Sequence, residues 1–174
     1  MELRVAGIVK ESVVDGPGFR YVIFAQGCTH GCKGCHNPDT HALDGGYGVD
    51  VDSLIEDIKQ SRYIDGVTFS GGEPLLQGDA FVHIAEKLKE LNVNIVCYTG
   101  FTFEEIMESR NESHIRLLEL VDMLIDGPYI EELKDLSLTY RGSRNQRVID
   151  VKSSIREQKV ILETLYREEA RVAS

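Results

Sequence analysis

Short apolar runs alternate with stretches of helical periodicity along most of this chain. The runs have the length of buried strands and cover residues 21–25, 67–69, 95–98, 123–125 and 147–149. Between them, apolar residues recur at i, i+3, i+4 and i+7, as at Val51, Leu54, Ile55 and Ile58. Strands that alternate with helices form a mainly parallel sheet covered by helices. The sequence therefore predicts an α/β fold, an open, partial βα barrel in a single domain.

The length of 174 residues fits one domain with its own core. We expect residues 1–150 to form that domain and residues 151–174 to add a helical C-terminal segment of unassigned role. No apolar run approaches the roughly 18 residues of a membrane helix. The first residues also lack the apolar core of a secretory signal. We therefore expect a cytoplasmic protein with no membrane partner.

The formal net charge is −10, from 29 acidic and 19 basic residues. A surface of this sign repels phosphate backbones, so we expect no nucleic-acid partner. Basic residues crowd only between residues 141 and 156. Such a stretch is more often a solvated face than a docking site.

Three of the four cysteines lie within eight residues, in the pattern C-x3-C-x2-C formed by Cys28, Cys32 and Cys35. In a reducing compartment this crowding indicates metal binding or catalysis rather than disulfides. Soft thiolates favour iron–sulfur or zinc centres. Three thiolates leave one position of a four-iron cluster without a protein ligand, an open position like that of catalytic zinc. Structural zinc, with His30 or His36 as the fourth ligand, is the alternative.

The other unusual motifs also follow predicted strands, where ligand sites form in parallel sheets. Gly71 and Gly72 precede Glu73, and paired glycines let the main chain approach a ligand closely. Gly-Gly-Glu-Pro alone is more often just a turn, so its place one βα unit after the cysteines favours a site. Thr99 ends the next strand as either a ligand contact or a turn residue. Cys97 lies on an apolar run and is expected to be a buried small hydrophobe.

A C-x3-C-x2-C loop after a strand resembles the radical S-adenosylmethionine (SAM) superfamily. The resemblance implies that the three cysteines hold a 4Fe–4S cluster whose open iron binds SAM. One electron from the cluster then breaks the sulfur–C5′ bond, leaving methionine and a 5′-deoxyadenosyl radical, with no catalytic side chain beyond the cofactors. The implied SAM contacts are Gly34, Cys35, His36, Gly71, Gly72, Glu73 and Thr99. The family often has an aromatic residue where Gly34 stands, so this chain departs from the pattern there.

Further segments resemble one subgroup, the glycyl-radical-enzyme activases. Residues 14–20 (VDGPGFR) and 35–40 (CHNPDT) are of their type. Residues 122–129 (DMLIDGPY) and 140–150 (YRGSRNQRVID) are the most discriminating and resemble the activases of anaerobic ribonucleoside-triphosphate reductase. The resemblance implies an oxidoreductase that forms a glycyl radical on that reductase. The reductase and a one-electron donor protein are then its partners.

Two other functions stay open from the sequence. One is a radical SAM enzyme that acts on a small molecule, such as a precursor of a modified nucleobase. The other is a non-catalytic interaction module stabilised by zinc.

Overall fold

The computed structural model describes residues 1–164. They form one seven-stranded sheet, in the order β3-β1-β2-β4-β5-β6-β7. The strands are β1 (Glu2–Ser12), β2 (Arg20–Ala25), β3 (Tyr47–Asp50), β4 (Gly66–Gly71), β5 (Asn94–Tyr98), β6 (Met123–Asp126) and β7 (Arg147–Asp150). The helices are α1 (Val51–Gln60), α2 (Gly78–Glu90), α3 (Phe103–Glu108), α4 (Glu112–Leu120) and α5 (Val151–Glu157).

The centre of the sheet is parallel and its flanks are antiparallel. Strands β2, β4, β5 and β6 run in the same direction, as predicted. Strands β1, β3 and β7 pair antiparallel with their neighbours, so the sheet is mixed. The outermost strands, β3 and β7, do not pair with each other. The predicted open α/β architecture in one domain is therefore confirmed.

The two faces of the sheet have different coverings. The helices cover one face, where the main core includes Ile23, Phe69 and Leu124. The predicted apolar stripe of α1 is buried against this core. A second, smaller cluster of Val96, Ile125 and Val148 lies on the other face. We call this second face the inner face, and it carries the cleft described below.

Three elements were not indicated by periodicity. These are β1, β3 and α4. In β1, Leu3 and Val5 are the apolar residues buried in the core, and most of the strand is partly or fully exposed. An antiparallel flanking strand of this kind lacks the continuous apolar run that marks a central parallel strand.

A turn between β1 and β2 covers one end of the inner face. Thr68 Oγ1 donates a hydrogen bond to the Asp15 carbonyl at 2.8 Å. Beneath the turn lies Arg20, which is 1% exposed. Its guanidinium donates to Thr68 Oγ1 at 3.1 Å and to Asn94 Oδ1 at 2.9 Å, and burial lowers its pKa to about 10. The turn and Arg20 close the inner face where the parallel strands begin.

The chain after β7 packs on the same sheet. Asp150 N donates to the Ile161 carbonyl at 2.9 Å, and Glu163 N donates to the Val148 carbonyl at 3.0 Å. Of the predicted C-terminal helix, Val151–Glu157 is helical, whereas residues 158–163 form a turn and a bridge. Residues 165–174 lie outside the described residues, and the domain division at residue 150 stays a prediction. No helix within residues 1–164 is long and apolar enough to cross a membrane.

Candidate active site

The cysteine loop leaves the end of β2 and is tied back to its own continuation. Gly27 N donates to the Thr40 carbonyl at 2.8 Å, and Cys28 N donates to the His41 carbonyl at 3.1 Å. Between these anchors, Gly31 has a φ of +63°. This left-handed conformation favours glycine and lets the loop curl tightly.

The three clustered thiols, of Cys28, Cys32 and Cys35, border one small cavity. All three are free and partly exposed, and the cavity has a volume of about 130 Å³. Burial raises the pKa of the Cys28 thiol, so metal binding there must displace a proton. Within residues 1–164, no three His, Cys, Asp or Glu side chains are grouped to hold a single metal ion. Three thiolates along one cavity fit a 4Fe–4S cluster that keeps one iron for another ligand.

A larger cavity of about 440 Å³ lies beside the small one, on the inner face. This volume falls within the range of roughly 300–1,000 Å³ that small-molecule sites occupy. The residues that border both cavities are Cys35, Asn37, Ser70, Tyr98, Tyr129 and Gln146. We call the two cavities together the cleft. It lies where the parallel strands end, at the opposite end of the inner face from Arg20.

Glu73 is 0% exposed, and its carboxylate joins three loops. It accepts hydrogen bonds from His30 Nε2 at 2.7 Å, Thr99 Oγ1 at 2.9 Å and Gly100 N at 2.9 Å. A fourth comes from Leu75 N at 3.0 Å. The bond to Glu73 raises the pKa of His30. These donors occupy the carboxylate within the protein, so Glu73 holds the cysteine loop against the end of β5.

The two glycines before Glu73 lie against the backbone of the cysteine loop and β2. Gly71 has a φ of +99°, and a Cβ there would lie 2.5 Å from Ala25 N. A Cβ on Gly72 would lie 2.3 Å from the Gly27 carbonyl oxygen. The sequence predicted that these glycines let the main chain approach a ligand. In the structure, the atoms closest to the missing side chains belong to the protein's own main chain. Both are needed for the two loops to pack.

Gly34 and His36 lie on the exposed side of the cysteine loop. The carboxylate of Glu131 occupies the place where a Gly34 side chain would project. Gly34 does not border the cleft, whereas His36 borders its larger cavity. The His36 ring packs against Tyr129, with ring centroids 4.8 Å apart.

Asp126 acts within the scaffold rather than in the cleft. It is 1% exposed, and its carboxylate accepts hydrogen bonds from Phe103 N at 2.8 Å and from Arg147 Nε at 3.0 Å. It therefore ties the start of α3 to β7. Arg147 also pairs with Glu104, so this member of the basic stretch has partners inside the fold.

Sequence reasoning assigned no role in the predicted site to several of its residues, among them His30, Tyr129 and Gln146. His30 was considered only as a zinc ligand, and its pairing with Glu73 has no signal in spacing. Tyr129 and Gln146 lay in segments quoted for resemblance, without roles. The Gln146 side chain links the Gly142 loop to the end of β6. Its Oε1 accepts a hydrogen bond from Gly142 N at 2.8 Å, and its Nε2 donates one to the Gly127 carbonyl at 3.0 Å.

Comparisons with known proteins identify the family to which the chain belongs. The family described as "4Fe-4S single cluster domain" matches residues 14–149. An anaerobic ribonucleoside-triphosphate reductase-activating protein from Vibrio cholerae is 36% identical over 142 residues, 77% of this chain and 89% of that protein. A pyruvate formate-lyase-activating enzyme from Listeria monocytogenes is 34% identical over 165 residues, 89% of this chain and 64% of that enzyme.

One solved structure, QueE from Escherichia coli, has a TM-score of 0.47 at 18% identity, covering 59% of this chain and 54% of that one. This likeness is too distant to indicate a function.

The sequence matches confirm the predicted 4Fe–4S cluster and the predicted resemblance to activating enzymes, and they decide against the zinc alternative. The chain belongs to the family of anaerobic ribonucleoside-triphosphate reductase-activating proteins, radical SAM enzymes with a 4Fe-4S single cluster domain.

Proposed function

We propose that this protein activates an anaerobic ribonucleoside-triphosphate reductase by generating a glycyl radical on it. The observation that carries the proposal is the cleft itself. Three thiols on one loop border a small cavity, and a cavity large enough for a small molecule adjoins it at the ends of the parallel strands. Membership of the activating-protein family supports the reductase as the partner.

We assign the cluster to Cys28, Cys32 and Cys35, and SAM to the adjoining cleft. When bound, the reduced cluster would give one electron to SAM, and this would supply methionine and a 5′-deoxyadenosyl radical able to take a hydrogen atom from a glycine Cα. A hydrogen atom moves rather than a proton, so the chain needs no general base. Gly34, His36, Gly71, Gly72 and Thr99 complete the assignment as residues at or beside the cofactors.

The protein's own groups hold this site in shape. Through His30 and Gly100, Glu73 fixes the cysteine loop relative to the end of β5. On the inner face, the buried cluster of Val96, Ile125 and Val148 packs against Tyr98 and Tyr140, which border the larger cavity. Glu73 thus acts in this proposal as a positioning residue, with its carboxylate occupied by the loops that it joins.

The partner's glycine must reach the cleft from outside. Arg20 and the turn above it close the inner face where the strands begin, so the glycine loop enters where the strands end. The cluster also needs one electron per turnover, which a one-electron donor protein supplies. We propose that residues 1–150 form the catalytic domain that both partners meet.

The test is an anaerobic mixture of this protein, SAM, a reductant and the cognate reductase. We expect a stable glycyl doublet in the EPR spectrum. The doublet should collapse to a singlet when the reductase carries glycine deuterated at Cα, and deuterium should appear in 5′-deoxyadenosine. Cys35→Ala should give neither signal.

Cys97→Ala is the matched control for the cysteine substitution. Cys97 is 1% exposed in the main core, so its loss should leave iron content and radical yield unchanged. If the wild-type protein cleaves SAM vigorously and the reductase acquires no radical, the proposal is wrong. The hypothesis of a radical SAM enzyme that acts on a small molecule then replaces it.

A further inference from the structure

Tyr129 carries a buried hydroxyl that lacks a hydrogen-bond partner. Within residues 1–164, it is the one buried side-chain nitrogen or oxygen left in this state. Leaving a buried hydroxyl unsatisfied lowers the stability of the fold. Buried polar groups are ordinarily paired, so an exception calls for a partner that the polypeptide does not provide.

The position of Tyr129 indicates where that partner lies. Tyr129 borders both cavities of the cleft, as does Cys35, one of the three clustered cysteines. A group bound beside the cysteine loop would therefore lie next to this residue.

Packing, rather than a hydrogen bond, sets the direction of the Tyr129 ring. The ring lies against His36, with centroids 4.8 Å apart. Gly142 lies against both rings, because a Cβ there would lie 3.0 Å from Tyr129 Cδ2 and 2.9 Å from His36 Cε1. The cysteine loop and the Gly142 loop thus hold the hydroxyl in place before any ligand binds.

We propose that Tyr129 is a cofactor-binding residue whose hydroxyl donates a hydrogen bond to an acceptor that the bound cofactors bring into the cleft. This rests on the proposed function, since it takes the cluster and SAM as the occupants. Both carry acceptors, as cluster sulfur on one side and carboxylate or hydroxyl oxygen on the other. A hydrogen bond to cluster sulfur raises the reduction potential, whereas one to SAM strengthens SAM binding.

The Tyr129→Phe variant removes only the oxygen. Tyr21→Phe is the matched control, because the Tyr21 hydroxyl donates to Asp57 Oδ2 at 2.6 Å on the helix-covered face. In urea unfolding of the cluster-free proteins, Tyr129→Phe should be at least as stable as wild type. Tyr21→Phe should be less stable, because it loses a satisfied hydrogen bond.

Two measurements on the cluster-loaded protein identify the acceptor. The first is the midpoint potential without SAM, from an EPR-monitored titration. The second is SAM affinity with the oxidised cluster, which does not cleave SAM. A lowered potential in Tyr129→Phe assigns the acceptor to cluster sulfur, and a roughly tenfold loss of SAM affinity assigns it to SAM. Either change supports the proposal, and Tyr21→Phe should show neither.

The proposal is overturned if Tyr129→Phe equals wild type in both potential and SAM affinity. It is also overturned if the cluster-free variant is less stable than wild type, since the hydroxyl would then have a partner within the protein. Neither measurement uses the reductase. Failure here therefore leaves the glycyl-radical experiment to decide the proposed function separately.

Discussion

At the scale of single residues, environment separates side chains of the same type. Cys97 is enclosed in the main core, where burial raises the pKa of its thiol far above the usual value. Cys28, by contrast, is partly exposed beside the cleft. The same contrast applies to carboxylates, because Glu73 is fully buried among donors whereas most other acidic residues face solvent.

Glu73→Gln should destabilise the cluster-free protein by about 2–4 kcal/mol. The amide keeps the shape, but its NH2 group faces donors and leaves some of them unsatisfied. His30→Ala should lose part of the same free energy. The measurement is urea unfolding, with His83→Ala as the control, because the His83 ring pairs with the exposed carboxylate of Asp52 at 3.4 Å, away from the loops of the site. Glu73→Gln as stable as wild type would show that this network does not hold the loops.

At the scale of elements, the site depends on how the loops after neighbouring strands meet. Gly71 at the end of β4 packs on β2, and Gly72 packs on the start of the loop after β2. A backbone hydrogen bond from Gly72 N to the Ala25 carbonyl, at 2.8 Å, continues the β2–β4 pairing into these loops. Placement of the cysteines therefore depends on two glycines at the end of the neighbouring strand.

Gly72→Ala should lower the free energy of unfolding by about 2–4 kcal/mol, because its Cβ meets backbone that cannot move aside. Gly7→Ala is the matched control, since a Cβ at Gly7 meets nothing within 4 Å. That substitution should be neutral or slightly stabilising. The comparison uses thermal and urea unfolding of the cluster-free proteins. Equal stability of the two variants would contradict the packing role, and loss of SAM binding in Gly72→Ala would then report a ligand contact alone.

At the scale of the whole molecule, one acidic residue joins four elements. Asp122 precedes β6, and its carboxylate accepts from Lys89 of α2, Lys152 of α5 and Ile95 N of β5. Burial opposes its ionisation, but hydrogen bonds from Lys152, Lys89 and Ile95 outweigh burial and lower the pKa of Asp122. This network closes the sheet-and-helix layers at the end remote from the cleft.

Asp122→Asn should cost about 1–3 kcal/mol of stability at pH 7. The pKa of Asp122 is lower in the folded than in the unfolded state. Its contribution to the free energy of unfolding is therefore complete above the unfolded-state pKa of about 3.9. The contribution is lost as the pH falls through the folded-state pKa. The difference between wild type and variant should therefore shrink below about pH 4. Urea unfolding from pH 7 to pH 3 measures it, with Asp52→Asn as an exposed control. A difference that is constant across this range would exclude the charged network as its source.

Local patterns in the chain were enough to predict the fold class, the central strands, the first helices and the cysteine loop. Local periodicity and spacing indicate these features. Examples are the apolar stripe on α1 and the capping box at Thr102, both of which are present in the structure. The burial of Cys97 followed from the same local pattern. Local signals suffice here because hydrogen bonds within a helix and apolar runs within a strand involve residues that are close in the chain.

The way in which these parts meet depends on contacts between residues that are distant in the chain. The bond between His30 and Glu73 spans 43 positions of sequence, and the steric need for Gly72 comes from Gly27 on another loop. The orphaned hydroxyl of Tyr129 is likewise visible only once the cleft has formed. No periodicity encodes such contacts, because they depend on which strands become neighbours in the sheet and on how their loops then pack.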